Sequence, residues 1–145
     1  MTSSSHREIE NLIATYAELV DTGDFLGVGG LLGDATFTSQ SRTVTGAAAI
    51  GRMLTEVAIR YEDGTPRTKH VTTNLNVEVD ETTGTATARS YFTVLQATED
   101  LPLQIIVSGR YHDRFERRNG EWVFVARRVI SDLVGDVSHH LRDAG

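Results

Sequence analysis

The residues of this sequence that could do chemistry form an acid–base set: Asp21, His70, His112 and the tyrosines, Tyr16 among them. A histidine held by a carboxylate is a good general base near neutral pH, because the carboxylate fixes its tautomer and stabilises the imidazolium that forms. Such a pair suits proton abstraction next to a carbonyl, followed by loss of water or by ring closure.

Other kinds of catalytic centre find little support in the sequence. The absence of cysteine excludes disulfides, thiolate metal sites and cysteine nucleophiles. No histidine pair has ligand spacing with a nearby carboxylate, so we expect no metal site. No serine lies in a Gly-x-Ser-x-Gly setting. The glycines between positions 27 and 33 come after a predicted helix, whereas a phosphate-binding loop comes after a strand. We therefore expect chemistry without a metal or a cofactor.

Asp21 lies within the stretch around which the chain is arranged, residues 9–25. Apolar residues recur there at intervals of three and four, which predicts one face of a helix that a glycine ends. On a helical wheel Asp21 lies beside the apolar stripe, next to the small side chains of Ala14 and Ala17. This leaves room for a partner side chain or a ligand. Asp24 is predicted to cap a short second helix.

The histidines of the acid–base set lie on predicted strands. A period of two places His70 on a polar face, and periodicity alone favours solvent exposure for it. His112 shares its face with one serine and two arginines, a row that either lines a polar cavity or faces water. The remaining histidines lie in predicted tails and are interpreted as spectators: His6, His139 and His140.

The predicted elements place helices first and long strands after them. A strand or a hairpin is predicted over 35–45, a third helix over 46–60, and long strands over 70–79, 85–97, 103–117 and 121–131. This order predicts one α+β domain over 1–145, with a core of about 9–131 and polar tails. A long, twisted antiparallel sheet with three helices against one face would form a cone closed at one end and enclosing a pocket.

The composition excludes some partners. The net charge is −6 and Lys69 is the only lysine, which argues against binding the phosphate backbone of nucleic acid. No apolar run approaches the roughly 20 residues that cross a bilayer, and the first residues lack the build of a signal peptide. We therefore expect a cytoplasmic protein with a small-molecule substrate and without nucleic-acid or membrane partners.

The order of these elements, together with YAELVDTGDF, TKHVTTN, GRYHDRF and NGEW, resembles the SnoaL-like branch of the nuclear transport factor 2-like superfamily. The resemblance covers about residues 9–130. It implies a cone-shaped α+β barrel with an interior pocket, often in a homo-oligomer. Members of the superfamily include scytalone dehydratase, polyketide cyclases, ketosteroid isomerases and the small subunits of ring-hydroxylating dioxygenases.

The nearest local resemblance is to scytalone dehydratase. Its pocket aspartate, in a Tyr-Ala-x-x-x-Asp-x-x-Asp motif, falls on Asp21, and its catalytic histidine, in a Thr-x-His context, falls on His70. The resemblance therefore implies that these two residues pair in the pocket. Val20 stands where the dehydratase has a tyrosine, Gln96 where it has a second pocket histidine, and His112 approximately where it has an asparagine.

The pocket is predicted to be walled by apolar and aromatic side chains, with polar groups at its inner part. One face of the strand over 85–97 carries small residues at one end and larger ones at the other, which fits a tapering interior. The predicted substrate-binding residues are Tyr16, Gln96, His112, Met53, Val57, Phe92, Val94 and Ile106, with Leu12 as a further wall residue.

Two functions are consistent with this pattern. The first is a cofactor-free lyase or isomerase, dehydratase-like or cyclase-like, that acts on a small, largely apolar ring compound with His70 as general base or acid and Asp21 orienting it. The second is a non-catalytic ligand-binding protein, or a small structural subunit of a ring-hydroxylating dioxygenase-like complex. In either case an apolar outer sheet face, including Tyr91 and Ile105, predicts a homo-oligomer.

Overall fold

The computed structural model of the protein describes residues 4–40 and 42–142. The elements are, in chain order, α1 (Ser5–Asp21), α2 (Phe25–Leu32), β1 (Thr36–Ser39), β2 (Arg42–Thr45), α3 (Ala47–Val57), β3 (Thr68–Asp80), β4 (Thr85–Thr98), β5 (Leu101–Arg118) and β6 (Glu121–Val134). Within the described ranges, no helix is long and apolar enough to cross a bilayer.

The strands form a six-stranded sheet in the order β2-β1-β6-β5-β4-β3. Neighbouring strands run antiparallel, except that β1 runs parallel to β6. Among the described strands β2 and β3 are the two edges, so the sheet curves around the core without closing into a barrel. The three helices and the long sheet confirm the predicted cone-shaped α+β fold, but the sheet is mixed and open, whereas a wholly antiparallel sheet and a barrel were predicted.

The turn after α1 explains the sequence DTGD. Gly23 has a φ of 79°, and a Cβ there would lie 2.0 Å from the carbonyl oxygen of Gly64, so only glycine fits. Asp24 then begins the next helix, because its Oδ1 accepts a hydrogen bond of 2.9 Å from the backbone N–H of Gly27. The predicted capping role of Asp24 is thereby confirmed, and the turn leaves Asp21 as the last residue of α1.

β3 changes its interior face part-way along the strand. His70 and Thr72 are partly buried near its start, whereas Val77 and Val79 pack against the core near its end. These two sets are an odd number of residues apart, and a regular strand would place them on opposite faces. The pairing with β4 shifts register around Asn74, whose φ is 54°. This bulge lets β3 present polar groups to one end of the interior and apolar groups to the other.

The C-terminal part of the chain differs from the polar tail that the sequence predicts. Residues 137–142, which we call the C-terminal strap, fold back onto the end of α3. The backbone N–H of Ile59 donates to the carbonyl of His140 at 2.8 Å, and that of Arg142 donates to the carbonyl of Val57 at 2.9 Å. Main-chain hydrogen bonds hold the strap in place, and the pattern of side chains in the sequence does not predict such bonds.

We expect Asn74→Val to destabilise the fold by about 1–2 kcal/mol, because a β-branched residue is strained at a positive φ. Asn76→Val is the matched control, since Asn76 is also exposed on β3 and has no positive φ. Urea unfolding of the two variants measures the difference in free energy of unfolding. Equal losses of stability would contradict the role assigned to the bulge.

Candidate active site

The structure brings Asp21 and His70 into direct contact. The Nδ1 atom of His70 lies 2.6 Å from Oδ1 of Asp21, and the backbone N–H of His70 donates to Oδ2 at 2.7 Å. The hydroxyl of Thr68 donates to Oδ1 at 2.8 Å. The two side chains are largely buried, His70 with 9% and Asp21 with 12% of its side-chain surface exposed. The end of α1 is thereby joined to the start of β3.

These contacts fix the tautomer of the neutral His70 imidazole. A carboxylate only accepts hydrogen bonds, so Nδ1 must carry the proton that Asp21 receives. The other ring nitrogen, Nε2, then holds a free lone pair and accepts no hydrogen bond from the described residues. Because His70 lines a cavity, this arrangement has the chemical capacity of a general base with an orienting carboxylate.

The pKa of Asp21 is lowered from its ordinary value. Burial is the largest single influence and acts to raise this pKa, but hydrogen bonds and charge from His70, with the Thr68 hydroxyl, together outweigh it. A position at the C-terminal end of α1 is also unfavourable for an anion, because the helix dipole is negative there. Asp21 therefore stays ionised through its contacts with β3.

Next to the pair lies a cavity of about 190 Å³. Its wall is mostly apolar and comes from all three helices, from the strands and from the C-terminal strap. The polar lining is confined to a few groups: Tyr16, Ser39, Gln40, His70, Tyr111, Ser131 and His140. The apolar lining comprises Val20, Phe25, Phe37, Met53, Leu54, Val57, Ala58, Phe92, Val94, Val107, Val129, Val134, Val137 and Leu141.

The structure places some of the predicted site residues in this cavity and others outside it. The residues that line it, besides His70, are Tyr16, Met53, Val57, Phe92 and Val94. Ile106 is fully buried in the core and Leu12 packs at the edge of the core, and neither lines the cavity. Gln96 is turned to the backbone instead, since its Nε2 donates to the carbonyls of Pro66 at 3.0 Å and His139 at 3.1 Å.

His112 lies on the exposed outer face of the sheet, away from the cavity. It shares a polar groove there with Asn74, Asn76, Arg89 and Arg110. The sequence left open whether the row of polar side chains around His112 lines a cavity or faces water, and in the structure it faces water. His112 therefore does not contact the contents of the cavity.

A buried ion pair under the cavity is a feature that the sequence reading missed. The guanidinium of Arg127 donates to the Asp113 carboxylate at 2.9 and 3.1 Å, and both side chains have 0% exposure. The Arg127 carbon Cζ lies 4.2 Å from the ring centre of Tyr16 and 3.7 Å from that of Tyr111. A signal was present, because Asp113 lies on the same strand face as the buried Tyr111 and Phe115.

Burial also governs the titration of the two tyrosines. It raises the pKa of Tyr16, an effect that the charge of Arg127 partly opposes. It raises the pKa of Tyr111 well above the ordinary value, where the nearby Tyr16 adds to the effect. For Arg127, burial acts to lower the pKa, yet Asp113 outweighs it and the net pKa is raised. The phenols are thus neutral hydrogen-bond donors beside a permanent cation.

His140 is the second feature that was missed, since it was interpreted as a spectator in a tail. It lines the cavity, and its ring centre lies 6.4 Å from that of His70 at an interplanar angle of 67°. Burial, followed by the charge of His70, lowers the pKa of His140 to about 4, against a smaller opposing effect of Asp21. His140 is therefore neutral at physiological pH.

No group of three or more histidine, aspartate or glutamate side chains could hold a metal ion within residues 4–40 and 42–142. The polar groups at the cavity include the His70–Asp21 pair, two neutral phenols and a neutral histidine, and a buried cation lies beneath them.

The chain belongs to the SnoaL-like domain family, whose model matches residues 1–128. Among solved structures, a variant of Rv3472, a protein of unknown function from Mycobacterium tuberculosis, is 30% identical, with a TM-score of 0.72 over 88% of this chain and 71% of that one. No curated protein sequence is significantly similar to the chain.

Two further solved structures share the fold at lower identity. A candidate scytalone dehydratase from Novosphingobium aromaticivorans is 23% identical, with a TM-score of 0.71 over 90% of this chain and 86% of that one. The beta subunit of a candidate aromatic-ring-hydroxylating dioxygenase from the same organism is 16% identical, with a TM-score of 0.70 over 88% and 89%. One fold thus accommodates proteins described as an enzyme and as a subunit.

We expect the stability of the protein to fall as the pH decreases from about 6.5 to about 4, partly because of His140. In this window the unfolded chain binds a proton at His140 and the folded protein does not, so acid favours unfolding. His140→Asn removes the titrating group and should flatten this part of the curve. Chemical unfolding at several pH values measures it, and an unchanged slope would contradict the buried, neutral state of His140.

Proposed function

We propose that the protein is a lyase or isomerase, dehydratase-like or cyclase-like, that acts on a small ring compound through His70 and Asp21. The observation that carries this proposal is the 2.6 Å contact between His70 Nδ1 and Asp21 Oδ1 at the wall of a cavity. Nε2 would take a proton from a carbon next to a carbonyl, and Asp21 would stabilise the imidazolium that forms. The returned proton would assist loss of water or complete an isomerisation.

The size of the cavity supports a ligand with a single ring. An engineered apolar cavity of roughly 150 Å³ is known to hold benzene, and the cavity here is about 190 Å³. Its mostly apolar wall favours a hydrophobic body, and its few polar groups would orient the oxygen substituents. A substituted monocyclic compound therefore fits better than a fused polycycle.

The charges near the cavity support an intermediate with a negative charge on oxygen. Proton abstraction next to a carbonyl produces an enolate, and hydrogen-bond donors stabilise such an oxyanion. The phenols of Tyr16 and Tyr111 are neutral donors in the cavity wall, and Arg127 places a permanent positive charge against both rings. Asp113 balances the net charge of Arg127, but the positive field of the guanidinium at the two tyrosine rings remains.

We expect Asp21→Asn and His70→Gln each to lower turnover by on the order of a hundredfold or more, because general acid–base groups contribute on that scale. The double variant should lose little beyond either single one, since the two residues act as a unit. His112→Gln is the matched control, as it removes a histidine from the outer face.

A thermal-shift screen of small phenolic and polyketide-like ring compounds supplies the substrate for this measurement. Binding by Asp21→Asn with wild-type affinity, combined with loss of turnover, is the expected pattern. Wild-type turnover in either dyad variant would refute the catalytic assignment.

The outer face of the sheet supports a second candidate, a non-catalytic ligand-binding protein or a structural subunit of a larger complex. Several apolar side chains there are exposed, including Tyr91 at 52%, Ile105 at 59% and Val71 at 42%. They lie on adjacent strands β3, β4 and β5. Exposed apolar surface of this kind marks an interface, and a second copy of the chain is the occupant that we propose if the protein acts alone.

We expect the protein to form a homo-oligomer through this face. Tyr91→Lys should shift the mass towards that of the monomer, because it places a charge within the apolar contact. Thr87→Lys is the control on the same strand and face, nearer its end. Light scattering at micromolar concentration measures both. A monomeric wild-type protein would exclude the homo-oligomer and would favour the subunit candidate.

A further inference from the structure

The C-terminal strap, residues 137–142, forms one wall of the cavity. Val137, His140 and Leu141 all line it. The carbonyl of His139 accepts hydrogen bonds from Gln96 Nε2 and from the hydroxyl of Tyr61, and the strap also pairs with the chain after α3. These contacts fix the backbone on both sides of His140, so its ring is held at the cavity wall.

The side chain of His140 has an unsatisfied polar atom at this position. Its Nδ1 is buried and has no hydrogen-bond partner among the described residues. A buried polar atom without a partner costs stability, and an apolar side chain of similar size would avoid that cost. A packing role therefore does not explain a histidine here. Because Nδ1 is closed off, a ligand in the cavity would bond the other ring nitrogen, Nε2, of this cavity-lining side chain.

The distance to His70 indicates where such a polar group would lie. The two ring centres are 6.4 Å apart. One oxygen atom that forms a hydrogen bond of about 2.8 Å to a nitrogen of each ring bridges up to roughly 5.6 Å. Ring centres at this separation allow one hydroxyl oxygen to bond a nitrogen of each ring when those nitrogens face each other. A neutral imidazole suits a hydroxyl, because it has one donor and one acceptor nitrogen.

We propose that His140 is a substrate-binding residue that hydrogen-bonds a hydroxyl group of the ring compound beside His70. This inference rests on the proposed function and narrows its substrate to a hydroxylated ring whose oxygen lies between the two histidines. A hydroxyl held there is next to the proton carrier of the dyad, which is the position that a leaving water or an ionising phenol requires.

Binding of phenol and toluene tests this proposal without any turnover. The two probes have nearly the same shape and differ in a hydroxyl against a methyl group. His140→Leu should weaken phenol binding by about fivefold to tenfold, the scale of one hydrogen bond, and leave toluene binding unchanged or tighter. His140→Gln should retain the preference of the wild type, because its longer side chain places an amide group near the position of Nε2. His112→Leu, on the outer face, is the matched control and should change neither affinity.

Equal changes in the affinities for phenol and toluene in His140→Leu, or none, would overturn the assignment. Failure of the wild type to bind either probe would overturn it together with the size argument for the cavity. Turnover by Asp21→Asn at the wild-type rate is a separate outcome. It would contradict the proposed catalytic role of the dyad and leave the binding role of His140 standing.

Thermal unfolding of the ligand-free variants separates a packing role from a binding role. His140→Leu should be at least as stable as the wild type, since it removes an unpaired buried polar atom. A marked loss of stability with unchanged probe selectivity would assign His140 to packing and overturn its role in binding.

Discussion

The carboxylate of Asp21 is the constraint on which the rest of the site depends. It lies at the C-terminal end of α1, where burial and the helix dipole both disfavour a negative charge. Hydrogen bonds from the Thr68 hydroxyl, the His70 backbone and the His70 ring offset that cost. The same bonds attach α1 to the first residues of β3 and set the orientation of the imidazole. The fold therefore stabilises an ionised carboxylate and an oriented imidazole at the cavity wall, which a structure selected for stability alone would avoid.

The Arg127–Asp113 pair is a second costly feature, and it lies under the same cavity. Breaking a buried ion pair by removing one partner costs about 3–5 kcal/mol, yet replacing the whole pair with apolar residues is often neutral or stabilising. Its retention between the rings of Tyr16 and Tyr111 is therefore better explained by the electrostatic environment that it creates. A cation fixed by its own carboxylate needs no reorganisation when negative charge develops nearby.

The sequence predicted what depends on side-chain periodicity and local turn chemistry. The helices, the long strands and the cap at Asp24 follow from such patterns, and the resemblance of the Tyr-Ala-x-x-x-Asp-x-x-Asp and Thr-x-His segments implied the dyad. The sequence could not predict the features that depend on backbone geometry. The bulge at Asn74 reverses the interior face of β3, and main-chain bonds bring His140 from an apparent tail to the cavity. His112 lies on the outer face and Asp113 on the inner face because side chains alternate along β5. The carboxylate of Asp113, placed among buried aromatic residues, was therefore the sign in the sequence of a buried cation, which is Arg127.

The tautomer of His70 tests the central claim most directly. If Asp21 orients the ring as the structure shows, neutral His70 carries its proton on Nδ1 and leaves Nε2 free as the base. Nitrogen-15 NMR of the imidazole distinguishes the two ring nitrogens without a substrate, and Asp21→Asn provides the comparison. We expect the Nδ1–H tautomer in the wild type and a mixture in the variant. A neutral His70 protonated on Nε2 in the wild type would contradict the proposed general base.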